Sequence, residues 1–264
     1  MFGGTAVNIG LDSIEEFQVA EATHNPAQSL ASGGAINIVS RRGGNELHGS
    51  GFGFFRDHRF AAKIAPVATP YDFYQVGGRL GGAILKGKLF AFTDIERTDD
   101  RDAFYANPPI FTTLQGTYPK PFTDNFGVIR LDWTPSQKFS LFVRQSYAWN
   151  QGVSGTPSLG ASYLNGFTNH NHDNITAISG TLVSTHWTQE WKYGHVGFNV
   201  DMGGAPLLPT PRDSLNRAYN ITVDGGSTLN LGPSYLAPET ERARNSEFKY
   251  DVGRVCLLYT SRCV

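Results

Sequence analysis

The sequence predicts an all-β protein built from about eight long antiparallel strands. Three observations carry that expectation. Apolar and polar residues alternate with period two in segments of about ten residues or slightly more, the links between these segments alternate short and long, and no helical period appears from Leu47 onward. Composition agrees. Charged residues are 17% of the 264-residue chain, against about 25% in soluble domains, and aromatics reach 12% beside 30 glycines and 14 prolines. Few charges and many rings argue against disorder and against a helical bundle. With 22 Lys and Arg against 23 Asp and Glu the net charge is −1, so no positive excess exists to drive binding to nucleic acid.

The elements follow in order. Ser13-Ile14-Glu15-Glu16 matches a capping box, in which hydroxyl and carboxylate satisfy the first N–H groups of a turn. That turn is expected to be short, because Phe17-Gln18-Val19 already reads as extended. Next comes a β-branched strand, Ala35-Ile36-Asn37-Ile38-Val39-Ser40, bounded by the glycine pairs 33–34 and 43–44. Alternation then sets strands at 47–57, 73–84, 88–97, 124–134, 138–149, 175–187, 190–202 and 245–255. Val76, Leu80 and Ile84 oppose Gln75 and Arg79; Ile129, Leu131 and Trp133 oppose Arg130 and Asp132; Leu141, Val143, Tyr147 and Trp149 oppose Arg144 and Ser146; Val196, Phe198 and Val200 oppose His195, Asn199 and Asp201.

Ten residues is the length of a tilted strand that crosses a bilayer, whereas soluble strands average about five or six. The links 85–87, 135–137 and 188–189 are short, and 58–72, 98–123, 150–174 and 203–244 are long. A barrel in an outer membrane has that asymmetry, with tight turns at one rim and long loops at the other. Trp133, Phe139, Tyr147, Trp149, Trp187, Trp191 and Tyr193 fall near strand ends, where interfacial rings belong. No apolar run reaches the roughly 18 residues of a membrane helix. A mean hydropathy of −0.28 is compatible with a barrel, whose strands dilute their apolar residues by alternation.

Ile14-Glu15-Glu16-Phe17-Gln18-Val19, Gly33-Gly34-Ala35-Ile36-Asn37-Ile38-Val39-Ser40-Arg41 and Gly43-Gly44-Asn45-Glu46-Leu47-His48-Gly49 resemble the end of the plug domain of TonB-dependent outer-membrane receptors, in their Oar-like, carboxypeptidase-regulatory-like branch. Phe52–Arg56, Gly77–Ile84 and Lys88–Glu96 resemble that family's first barrel strands. The likeness is specific over about 12–97. Asn25-Pro26 departs from it, since the family usually has a Tyr-Gly pair before the glycines. The resemblance implies a C-terminal part of a plug at 1–46 and an N-terminal part of a transmembrane β-barrel at 47–255. It also implies a plug-to-barrel signature in Gly33, Gly34, Asn37, Val39, Arg41, Gly44, Asn45, His48 and Gly49.

A plugged barrel is far larger than eight strands, whose interior holds only its own side chains, so the chain is expected to be a fragment of a larger barrel. No signal peptide is legible at the start. Cys256 and Cys263 are both in the last nine residues, and 256–264 interrupts the strand begun by Phe248, Tyr250 and Val252; the segment reads as a possible artefactual tail.

The family likeness implies binding and gating in the outer membrane of a Gram-negative cell. Its partners would be the membrane lipid, a TonB-type energy-transducing protein and an unidentified extracellular ligand, with energy-coupled uptake as the work. The alternative is a structural or adhesion barrel that transports nothing. Gln75, Arg79, Arg130, Asp132 and Arg144 are expected to face the lumen, with Arg79 and Arg130 read first as partners of barrel carboxylates. No catalytic set, cofactor motif or metal set stands out. Asn169-His170-Asn171-His172-Asp173 and Thr98-Asp99-Asp100-Arg101-Asp102 read as solvated external loops, and Gly49-Ser50-Gly51-Phe52-Gly53 as small residues in a strand, with no helix after it to hold a nucleotide.

Overall fold

A computed structural model of the chain describes residues 10–20, 35–60, 71–106, 112–154, 167–204, 221–223, 229–231 and 238–254. Strands are numbered in chain order. A short 3-10 turn at Leu11–Ser13 leads into β1 (Ile14–Ala20), which pairs antiparallel with β2 (Ala35–Ser40) in a two-stranded sheet. Then come β3 (His48–Arg56), β4 (Asp72–Leu85), β5 (Leu89–Ala106), β6 (Gly116–Ser136), β7 (Phe139–Ser154), β8 (Phe167–Val183) and β9 (Trp187–Gly204). A small hairpin, β10 (Ile221–Val223) with β11 (Leu229–Leu231), precedes β12 (Glu239–Arg254).

The long strands make one eight-stranded antiparallel sheet in the order β12-β9-β8-β7-β6-β5-β4-β3. Apart from the separate β10–β11 hairpin between β9 and β12, each strand pairs with its neighbour in sequence, as an up-and-down barrel wall requires, and the sheet is not closed. Its free edges are β3 and β12. The tight link after β4 is a hairpin in which Lys88 N–H donates to Leu85 O at 3.0 Å and Gly87 takes φ +71°. Only glycine adopts that left-handed conformation without a Cβ penalty.

Two expectations change. Ser13 closes the first turn where the capping box placed it at the opening: its N–H and its Oγ both donate to Gly10 O, at 3.0 and 2.6 Å. The following residues are already committed to the β1–β2 ladder, so no helix can propagate. The strands are also longer than the alternation indicated. Residues 98–106 continue β5, 116–123 begin β6 and 167–174 begin β8, so the two segments read as solvated loops, 98–102 and 169–173, are strand. Polar residues on both faces there mark a wall that rises out of lipid, and composition alone does not separate such a wall from a loop.

One face is apolar in a band. Its outward residues include Val76, Leu80 and Ile84 on β4, Ile95 on β5, Ile129, Leu131 and Trp133 on β6, Tyr147 and Trp149 on β7, and Phe248, Tyr250 and Val252 on β12, all exposed. On β7 the band runs from Phe139 to Trp149, about 26 Å in height for a strand tilted about 40°, which matches the roughly 25 Å apolar belt of a membrane barrel. Rings mark the short-turn end. Trp133 and Phe139 meet edge-on at 5.5 Å, and Phe139 lies 6.1 Å from Trp191.

The band also carries the tilt. Cross-strand pairing puts Tyr74 in one row with Asp99, Thr123, Gln151, His170, Asp201 and Thr240, yet on β12 the apolar set begins only at Phe248. Its edge descends about eight residues between β4 and β12, about 27 Å along the strands for about 29 Å across them, a tilt of about 43°. Barrel strands tilt by about 35–45°.

Candidate functional site: a clamp between the N-terminal segment and the wall

The opposite face of the sheet carries residues 10–13 and 40–44. Beneath them Phe92, Phe126, Val128 and Ala148 form a buried apolar cluster, so this face is not uniformly polar. In β9, Val196, Phe198 and Val200 also point inward while His195, Asn199 and Asp201 point out. That stretch rises above the apolar band, where the outward face meets no lipid and the apolar side chains pack inside.

Gln75, Arg79, Arg130, Asp132 and Arg144 all project from this inner face, by register with Asp94, Glu96 and Phe142. Two arginines reach across to the N-terminal segment. Arg79 Nη1 donates to Asp12 O at 3.2 Å, and its Nε to Ser50 Oγ at 2.8 Å; its hydrogen-bond partners are neutral, while the Asp94 carboxylate lies opposite it in register. Arg130 forks onto Asp132 through Nε and Nη2, at 2.9 and 2.7 Å, and lies 4.6 Å above the Phe142 ring. Its Nη1 donates to both Ser40 O and Ser40 Oγ, at 2.7 and 2.9 Å. Arg130 therefore serves the barrel carboxylate and the docked segment together. A planar, five-donor guanidinium can do both. Its side chain is only 12% exposed and that of Asp132 16%, so solvent screens the pair weakly.

The two docked pieces are joined to each other, because Arg41 N–H donates to Ser13 O at 2.8 Å. Glu96 also faces the segment, within hydrogen-bonding reach of the Asp12 backbone and 3.4 Å from Gln75 Nε2. Asp94 lies fully buried beside it, opposite Arg79 in register, and neither of its side-chain oxygens makes a hydrogen bond of good geometry.

The signature residues divide. Gly33 and Gly34 lie outside the described residues. Asn37 pairs with Gln18 in the β1–β2 ladder, and Val39 is exposed. Asn45 caps the first barrel turn: its Oδ1 accepts from Gly87 N–H at 2.8 Å. His48 Nδ1 meets Glu46 O at 3.0 Å. A Cβ on Gly44 would meet only the His48 ring, at 3.9 Å, and Gly49 backs onto the β4 carbonyl of Arg79. The residues that hold the segment against the wall lie outside that signature set: Asp12, Ser13, Ser40 and Gly43. A Cβ on Gly43 would collide with the carbonyl oxygens of Ala91 and Gly82, so glycine lets this linker lie on the wall backbone. Only the paired glycines hinted at that approach. Beside the linker, a cavity of about 500 Å³ is lined by Arg42, Asn45, Asp132, Phe142 and Thr181 among others.

At the long-loop end a second knot forms. His58 N–H and Nδ1 both meet Asp72 Oδ1, at 3.0 and 2.8 Å, while Arg59 forks onto Asp57. Among the described residues, Asp57, His58 and Asp72 alone bring three potential metal-ligating atoms within 4.8 Å of one another. Asp57 and Asp72 are both engaged, so the group reads as the closure of the β3–β4 loop. The Arg59 guanidinium holds the Asp57 carboxyl well below the usual carboxylate range.

The inner clamp, the outward apolar band and the meander order together describe a barrel wall carrying a docked N-terminal segment. Residues 39–117 match the family model described as an outer membrane beta barrel domain. The chain is 26% identical over 251 residues to the TonB-dependent transporter Oar of Myxococcus xanthus, covering 89% of this chain and 21% of that protein. Together these matches support a TonB-dependent outer-membrane receptor-like family for the chain. They also support an outer-membrane location and a β-barrel wall. The chain spans about a fifth of the length of the curated relative it matches. No solved structure matches it. In this family setting the long-loop end is extracellular and the short turns are periplasmic.

Proposed function

We propose that this chain takes part in energy-coupled uptake of an extracellular ligand, with residues 10–44 acting as part of a plug that the barrel wall holds until a TonB-type protein pulls it. The clamp supports the reading: Arg79 and Arg130 bind backbone and hydroxyl oxygens of the N-terminal segment from 67 and 90 residues away. Hydrogen bonds of this kind hold a segment firmly, yet each is worth only about 1–3 kcal/mol, so mechanical force can release them in turn. The work is binding and gating, without bond chemistry, and the ligand is met at the extracellular loops.

The test uses Ser40→Cys, whose parent side chain is buried against Arg130. In intact cells on rich medium, labelling by a membrane-impermeant maleimide should require both the TonB-type protein and the proton gradient. Equal labelling after deletion of that protein would leave the non-transporting structural or adhesion barrel as the better reading.

A further inference from the structure

The upper half of β12 separates its charges by face. Register with β9 puts Thr240, Arg242, Arg244 and Ser246 outward beside Asp201, Asn199, Gly197 and His195, while Glu239, Glu241 and Glu247 point inward. Lower on the inward face, Lys249 pairs with Asp251 at 3.4 Å. Arg242 and Arg244 stand just above the apolar band. Tyr193 and Phe248 form its upper row on these strands. His195 lies two residues above that row and Arg244 four, about 5 Å and 10 Å higher at the tilt derived above. Headgroups occupy roughly 5–8 Å above the hydrocarbon.

A groove of about 500 Å³ opens at this height, lined by Tyr147, His172, Asn174, His195, Asn199 and Arg244 among others, with Asp173 beneath it on the inner face of the wall. Gly197 lowers its floor. The Trp149 ring stacks on His172 at 6.0 Å, and Ser246 Oγ holds His195 Nδ1 at 2.8 Å. Asp201, the outward carboxylate nearby, already accepts from Thr240 Oγ1 at 3.0 Å. Arg242 and Arg244 have no ion-pair partner among the described residues.

We propose that this groove binds the phosphorylated headgroup of an outer-leaflet lipid, with Arg244 and Arg242 on the phosphate, His195, His172 and Asn174 on neighbouring polar groups, and Tyr147 and Tyr193 against the upper acyl chain. Guanidinium matches phosphate in charge and in fork geometry, and the groove's position between aromatic girdle and polar wall selects an amphiphile over a free anion. The assignment depends on the outer-membrane location and not on transport, so it stands or falls separately from the uptake reading.

The test is retention of lipid by the protein purified from outer membranes into detergent micelles doped with bis-phosphorylated lipid A or its dephosphorylated form, read by native mass spectrometry. Wild type should retain the phosphorylated lipid at least fivefold better, and 50 mM inorganic phosphate should not displace it. Arg242→Gln with Arg244→Gln should abolish the preference, whereas Arg254→Gln, on the same outward face at the periplasmic end, should leave it unchanged. Arg242→Lys with Arg244→Lys should keep at least half. Equal retention of both lipids by wild type overturns the proposal, as does equal loss on Arg254→Gln or full displacement by free phosphate. The wild-type comparison decides even where a variant fails to fold.

Discussion

Arg130 and Arg144 face each other across β6 and β7, yet their situations are opposite. Arg130 spends its donors on Asp132 and Ser40, whereas the buried Nε of Arg144 has no partner. Removing one member of a poorly screened pair strands the other, which costs about 3–5 kcal/mol. Arg130→Gln should therefore lower stability by about 3 kcal/mol and expose 38–44 to protease, with Arg130→Lys intermediate because ammonium lacks the fork. Arg144→Met keeps the bulk and removes a like charge opposite Arg130, so stability should rise by about 1 kcal/mol. Guanidinium unfolding read by heat-modifiable gel migration distinguishes them; a loss of equal size for both would show that the inner face needs bulk charge, not this clamp. Alternation in the sequence puts both arginines on the face opposite Ile129 and Val143. It could not rank them, because Ser40 is 90 residues from Arg130 and its hydroxyl looks like any strand serine.

At the scale of elements, the linker between β2 and β3 is held by backbone proximity as much as by side chains. Gly43→Ala should push it off the Ala91 and Gly82 carbonyls at a cost of about 1–3 kcal/mol, visible as faster proteolysis around 41–47 with the barrel band unchanged. Gly44→Ala, whose Cβ would make only an ordinary contact with the His48 ring, should do little. The β3–β4 loop offers a pH test. Because the Arg59 contact holds the Asp57 carboxyl below its usual value of 3.8, the folded loop binds fewer protons there than the unfolded one. Its contribution is present above about pH 4 and is lost as the pH falls further. Amide exchange at 57–60, corrected for intrinsic rate, should accelerate below that pH; Asp57→Asn should weaken the dependence, and what remains belongs to Asp72, whose carboxyl the His58 contact also holds low. Neither element was fully legible beforehand. The glycine pair announced a special backbone, but which glycine touches the wall depends on the strand arrangement. The loop knot needs Asp72, brought to His58 by the β3–β4 pairing.

The whole molecule was legible where period two meets lipid and opaque above it. Within the band each strand must be apolar outward and tolerant inward, so alternation marks β4, β6 and β7 and sets their faces. Above the band both faces meet water or polar partners, the period fades, and residues 98–106 and 167–174 pass for loops although they continue the ladder. The same boundary yields a prediction that depends on the tilt alone. Leu80, Thr93, Ile129, Gln145, Thr176, His195 and Ser246 occupy one ladder row and point outward. Strands running straight up through the membrane would put the entire row at one depth, and an arginine would cost the same anywhere along it. With a tilt of about 43°, Leu80 lies near the middle of the band and Ser246 at its polar edge. Leu80→Arg should then destabilise the barrel by about 2–4 kcal/mol and Ser246→Arg by about 0–1, measured by guanidinium titration of protein folded into vesicles. Equal costs at the two ends of the row would mean that the apolar band does not follow the membrane, and the assignment of this face to lipid would fall with it.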